Sequence, residues 1–166
     1  MLRCMILVAF GANMPDRAGR SPAETCAWAV QRLALRSGLK VIACSPFYRS
    51  APVPPSGQPD YVNGVVRLRG PAEPDTLLAL LHEIEAEAGR VRSIPNAARP
   101  LDLDLLAVDS EVRESGNLVL PHPRLQDRAF VLLPLQDVAA DWRHPRFGSV
   151  AAMLSALDPT GVLLLD

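Results

Sequence analysis

Apolar and polar positions alternate with changing period along the first two thirds of the chain, and the changes mark the elements. Met5–Phe10 is an unbroken apolar run, too short to span a bilayer and suited to a buried strand. A polar loop, Gly11–Arg20, follows. Ser21-Pro22-Ala23-Glu24 then has the form of a capping box with proline at the first helical position, which predicts a helix to about Arg36 with Gly38 as its stop. Leu39–Tyr48 and Tyr61–Leu68 are rich in β-branched and aromatic residues and read as strands. The Pro/Gly/Ser-rich segment between them, Ala51–Asp60, cannot easily continue a ladder and is a long loop of the kind that often carries function. From Asp75, the residues Leu77, Leu78, Leu81, Ile84 and Ala88 recur at helical spacing until Gly89. A second loop, Arg90–Pro100, leads to Leu101, Leu103 and Leu105, which alternate with Asp102 and Asp104 in a strand pattern.

The order β, α, β, β, α, β is the split βαβ arrangement, a mainly antiparallel sheet with both helices on one face. A turn at Glu114–Gly116, a short strand near Leu118, a Pro121-His122-Pro123 turn, short helical segments and a last strand over Gly161–Leu165 complete the reading. No repeat or linker divides the chain, so residues 1–166 are expected to form one domain. Nearly half of the 166 residues are hydrophobic and the net charge is -1, which excludes a disordered chain and a general polyanion-binding surface; no nucleic-acid or membrane partner is expected. Cys4, Cys26 and Cys44 lack disulfide-framework or zinc-ligand spacing, which points to a reducing, cytoplasmic setting.

The candidate chemistry lies in Arg99–Ala107. Side chains alternate across a strand, so Asp102 and Asp104 share one face, roughly 6.6 Å apart at Cα, and something cationic should sit between them. A hard divalent cation fits, and so does pairing with Arg99 or another arginine. Arg90, Arg92, Arg99, Arg124 and Arg128 flank this strand or the Pro121-His122-Pro123 turn, where guanidinium forks could hold phosphate; solvated loop arginines are the alternative. There is no P-loop, dinucleotide fingerprint, GxSxG elbow or HExxH pair, so bound phosphate would have to be held by arginines and metal. In a second constellation, Tyr61 and Asn63 share a strand face beside Gln58-Pro59-Asp60. With Phe130 as an opposite wall they would suit a planar heterocycle, while plain packing is the other reading of Tyr61.

Six segments occur in order: Phe10-Gly11-Ala12-Asn13, Phe47-Tyr48-Arg49-Ser50, Gln58–Asn63, Ile84-Glu85 with Gly89–Arg92, Arg99–Asp104, and Pro121–Leu125 with Arg128–Leu132. In that order and spacing they closely resemble the 6-hydroxymethyl-7,8-dihydropterin pyrophosphokinase family of folate biosynthesis, over about Met5–Val138. The resemblance implies a ferredoxin-like α/β fold and transfer of pyrophosphate from ATP to the pterin hydroxymethyl oxygen, with release of AMP. It implies that Asp102 and Asp104 hold two Mg²⁺ ions, that Tyr61 and Phe130 sandwich the pterin, and that Asn63 and the backbone around Ser50 and Val53 read its edge. It places Arg90, Arg92, Arg99, His122 and Arg128 at positions that bind ATP phosphates or support catalysis, with Glu85 near the nucleotide. A monomer is expected. The chain departs from the family in having Asn96-Ala97-Ala98 where relatives commonly carry tryptophan, glycine and proline or alanine, Pro100 for threonine and Ala12 for serine; these changes bear on loop closure and nucleotide affinity. The competing expectations are a non-catalytic binding module on the same scaffold and a Mg²⁺-dependent enzyme acting on another hydroxymethyl heterocycle.

Overall fold

The computed structural model describes residues 4–36, 38–71, 73–91 and 99–166. Its elements are β1 (Cys4–Ala12), α1 (Pro22–Ala34), β2 (Lys40–Cys44), β3 (Tyr48–Ser50), β4 (Tyr61–Gly70), α2 (Pro74–Glu87), β5 (Asp102–Val108), a 3₁₀ turn (Leu125–Asp127), α3 (Ala129–Ala139), β6 (Arg143–His144), β7 (Gly148–Ser149), α4 (Val150–Ser155) and β8 (Val162–Leu164). The main sheet runs β5-β1-β4-β3-β8 with β2 also on β4, and each pairing is antiparallel. This is the split βαβ order, with its second strand broken into β2 and β3.

The break has a local cause. Pro46 has no N–H to give a ladder, and Ser45 bridges the gap: its N–H donates to Val65 O at 2.9 Å and its Oγ accepts from Val65 N at 3.0 Å. The capping box closes at both ends, with Ser21 Oγ accepting from Glu24 N and Glu24 Oε2 accepting from Ser21 N. α1 ends at Ala34, two residues before the expected Arg36, with Leu35 as its C-cap, and Gly38, at φ +87°, takes the left-handed conformation in the turn toward β2. Helix α2 starts one residue before the expected Asp75, because Glu73 caps it by accepting from Asp75 N and Thr76 N and Pro74 occupies the first turn.

β1 is covered on both faces, which is why its sequence is continuously apolar. Ile6, Val8 and Phe10 join α1 and α2 in one core, as the split βαβ reading expects. Leu7 and Ala9 join a second core built by Val131, Leu132, Leu135 and Val138 of α3. That second layer was not expected from sequence as one continuous helix. Pro134 breaks the pattern by removing a donor, yet α3 runs through it for 11 residues, since Val131, Leu132 and Leu135 are buried on either side. Near Leu118 the expected strand is replaced by a single bridge between Arg113 and Leu120, with Leu118 itself packed in the core. Opposite Leu7 and Val8 the β5 register slips by one residue, so Leu106 and Ala107 both enter the second core. Asp102–Leu105 lies before the slip and keeps its alternation, leucines inward and carboxylates on the opposite face.

Candidate active site

Strand register builds the site. Asp102 lies opposite Gly11, Gly11 opposite Asn63, and Asn63 opposite Tyr48, while Asp104 lies opposite Ala9. Directly opposed residues share a face, so carboxylates and an amide flank a floor of two small residues, Ala9 and Gly11. The floor at Gly11 must stay small: a Cβ there would come within 3.0 Å of Asn63 Oδ1. Asn63 is held in place by donating from Nδ2 to Ser50 Oγ at 2.7 Å.

The two aspartates differ sharply in environment. Asp102 is matched by cations on both oxygens, with Oδ1 accepting from Arg90 Nη1 at 2.7 Å and Oδ2 from Arg99 Nη1 at 3.0 Å. Arg90 Nη1 also donates to Glu85 Oε2, which in turn accepts from Leu103 N at 2.9 Å. Glu85 is only 1% exposed, so this carboxylate ties α2, Arg90 and the backbone of the aspartate strand together from beneath. Among the described residues Asp104 has no such match: Arg128 Nη1 and His122 Nε2 each stand 4.0 Å away. Burial, with Asp102 adding repulsion against the pull of Arg128, pushes the Asp104 carboxyl up to about 7. Burial and then Arg128 push His122 down to about 4, so at neutral pH it is an uncharged imidazole whose Nδ1 accepts from Arg124 N at 3.2 Å.

This imbalance predicts a pH-dependent strain. The folded-state pKa of Asp104 lies above its unfolded value, so stability present at low pH is lost as pH rises from about 4 through about 7. Asp104→Asn removes that cost, on the order of 1–2 kcal/mol after screening at its partly exposed edge. Calorimetry without ligands should show Tm raised by roughly 3–6 °C at pH 8 and nearly unchanged at pH 4. A lower Tm at pH 8, or the same gain at both pH values, would contradict the assignment.

Two cavities meet at the aspartates. The first, about 440 Å³, is lined on one side by Ser50, Val53, Tyr61, Asn63 and Phe130 and on the other by Arg99, Asp102, Asp104 and Arg128. The second, about 330 Å³, takes Glu85, Arg90, Arg99, Asp102, Asp104 and His122. Each site residue expected from sequence therefore borders one cavity or both, except Arg92, which lies outside the described residues, as do Asn96-Ala97-Ala98. The structure adds positions that sequence reasoning left unassigned. Leu78, His82, Asn117 and Val119 line the second cavity; Leu78 was legible only as a helix-spaced apolar residue. Buried Asn13 joins three segments, donating to Gln58 Oε1 at 3.0 Å and Pro59 O at 3.4 Å and accepting from Arg99 N at 3.3 Å. Its only signal in sequence was its place in the Phe10–Asn13 segment.

Among the described residues no three His, Cys, Asp or Glu side chains converge into a closed metal cage. Two same-face carboxylates with open space on both sides fit Mg²⁺, which keeps waters and takes phosphate oxygens alongside one or two carboxylates.

Fold and site together define a ferredoxin-like α/β protein whose acidic strand face joins an aromatic-walled cleft to a cation-walled one. The family model of 7,8-dihydro-6-hydroxymethylpterin-pyrophosphokinase (HPPK) matches residues 7–140, and the chain belongs to that family. A 2-amino-4-hydroxy-6-hydroxymethyldihydropteridine pyrophosphokinase of Synechocystis is 42% identical over 135 residues, 81% of this chain and 69% of the relative. The protein of the same name from Pseudomonas aeruginosa is 36% identical over 157 residues, 95% of this chain and 94% of the relative. Among solved structures, an HPPK-DHPS in complex with substrates superposes with a TM-score of 0.69 at 14% identity, and a Plasmodium falciparum HPPK-DHPS with pteroate at 0.72 and 11%. Each match covers 93% of this chain, which spans only 43% and 42% of those longer chains; the likeness is one of fold.

Proposed function

We propose that the protein transfers the terminal pyrophosphoryl group of ATP to the hydroxymethyl oxygen of 6-hydroxymethyl-7,8-dihydropterin, giving the pterin diphosphate and AMP in folate synthesis. The observation that supports this most is the meeting of two chemically different cavities at Asp102 and Asp104. An acceptor in the first cavity and a nucleotide in the second would bring their reacting ends to the carboxylate pair. The new bond joins the alcohol oxygen to the β-phosphorus, the bond from that phosphorus to the AMP oxygen breaks, and the alcohol proton ends in solvent.

Asp102 and Asp104 would hold two Mg²⁺ ions, which when bound neutralise charge on the phosphate oxygens. Arg90, Arg99 and Arg128 present guanidinium forks to the phosphates, a role that the family resemblance also gives to Arg92, and uncharged His122 offers a hydrogen bond without adding charge. Glu85 acts one layer below, setting the position of Arg90. In the first cavity Tyr61 and Phe130 form the stacking walls, and Asn63, fixed by Ser50, reads the heterocycle edge together with the backbone near Ser50 and Val53. The transfer needs mainly positioning and charge neutralisation from the protein. The same reading takes residues 1–166 as one domain, acting as a monomer in the cytoplasm with small-molecule partners only. No helix among the described residues is long and apolar enough to cross a membrane.

Stacking on an aromatic wall contributes about 1–3 kcal/mol per planar base. Calorimetric titration of 6-hydroxymethyl-7,8-dihydropterin, with Mg²⁺ and a non-hydrolysable ATP analogue present, should show Phe130→Ala weakening pterin binding by about 10- to 100-fold. Affinity for the analogue should stay within about two-fold of the native protein. Unchanged pterin affinity in Phe130→Ala would place the acceptor elsewhere.

A further inference from the structure

We propose that the last strand, β8, is a positioning element for the acceptor site: it fixes the root of the loop that walls the first cavity. The inference rests on the reading of that cavity as the pterin site. β3 has only three residues and runs directly into Ser50–Gln58, which supplies one wall of the cavity. The wall has no regular structure between Ala51 and Asp60, so its geometry is set at its two ends. At the far end, Asn13 holds Gln58 and Pro59 and β4 begins at Tyr61. At the near end the only root is β3.

β3 is held between β4 and β8. Tyr48, Arg49 and Ser50 face Leu164, Leu163 and Val162 across the β8 ladder, and Leu165 N donates to Phe47 O at 2.9 Å. Tyr48 adds one side-chain tie, from its hydroxyl to Asp137 Oδ2 on α3. Leu163 and Leu164 are 50% and 62% exposed, so these two leucines bury little surface on the protein and the backbone pairing is what they chiefly contribute. Without β8, β3 becomes a three-residue edge strand with one row of unpaired groups, and the loop root gains freedom. The second cavity takes no residue from β3, β8 or the Ala51–Asp60 loop. Loss of β8 pairing should therefore weaken the acceptor and spare the nucleotide.

The register supplies an internal control. Hydrogen-bonded and non-bonded pairs alternate in an antiparallel ladder, and the Leu165 N to Phe47 O bond makes Arg49 and Leu163 the bonded pair. The N–H of Leu164 points away from β3, where an edge strand tolerates proline. Steady-state kinetics of the full chain should show Leu163→Pro raising KM for the pterin about 10-fold, with kcat and KM for ATP within about two-fold, while Leu164→Pro and Leu163→Val match the native protein. Hydrogen exchange without ligands should show faster exchange across Tyr48–Asp60 in Leu163→Pro alone, with α2 and β5 unchanged. A Leu163→Pro protein with native pterin KM and native exchange at Tyr48–Asp60 would overturn the proposal. So would a parallel rise of both KM values with exchange raised throughout, which would mark a merely structural strand. If the native protein turns over no pterin, the reading of the cavity fails, and the exchange comparison still decides whether β8 holds the wall.

Discussion

Asp102→Asn and Asp104→Asn should each lower pterin-dependent AMP formation by about 10³-fold or more, while moving thermal stability in opposite directions. These two side chains and Arg99 are the residues shared by both cavities, and removing a single preorganised group that meets developing charge already costs about 10²–10³-fold in turnover. If the carboxylate pair holds Mg²⁺ as proposed, loss of one carboxylate would add to that, because Asp102 and Asp104 are the ligands proposed for it. The stability effects separate the two positions. Asp102 is paired with Arg90 and Arg99, so its amide variant leaves two partly buried guanidinium groups facing a neutral side chain and should lower Tm. Among the described residues the nearest cation to Asp104 is Arg128, 4.0 Å away, and its amide variant should raise Tm near pH 8. Activity lost in both, with Tm down in one and up in the other, is the expected pattern. Retained turnover in either variant would remove the pair from the chemistry.

Glu85→Ala carries the largest expected effect on stability. The Glu85 carboxylate is buried, accepts from Leu103 N and pairs with Arg90. Truncation strands a buried N–H and takes one partner from a mostly buried guanidinium, a type of change that costs about 3–5 kcal/mol. For a chain of this size that corresponds to a fall in Tm of roughly 10 °C. Glu85→Gln, which keeps an acceptor for Leu103 N but loses the charge, should fall between Glu85→Ala and the native protein. Scanning calorimetry checks both; a Glu85→Ala protein within 2 °C of native would show that the network is not coupled to folding. Because this carboxylate positions Arg90 for its direct bond to Asp102, turnover should fall along with Tm.

Much of this site was legible because local chemistry and global fold agree. Alternation over Leu101–Leu105 put both aspartates on one face, and the structure keeps them there because the register slip in β5 falls beyond them. The capping box at Ser21–Glu24 fixed the start of α1 by the same hydrogen bonds the structure contains. What stayed hidden depends on contacts distant in sequence. Whether a metal or an arginine answers the aspartates could not be read from spacing. Asp102 has two arginines and, among the described residues, Asp104 has none in hydrogen-bond range, and one of the two, Arg90, is held by Glu85 on another element. The second core was obscured by Pro134, whose cost to the helix is met by burial on β1 and β4 rather than by any local signal. Asn13 could be seen only as part of a short segment, since its three partners come from two other loops. The partner of the last strand was likewise unreadable, because a three-residue strand carries too little pattern to specify a neighbour.

The most direct test is the nucleotide product released from ATP and Mg²⁺ with and without 6-hydroxymethyl-7,8-dihydropterin. AMP formed in step with pterin diphosphate, and only when both pterin and Mg²⁺ are present, is the predicted result. ADP as the product, or ATP turnover indifferent to the pterin, would contradict the pyrophosphoryl transfer proposed for this site.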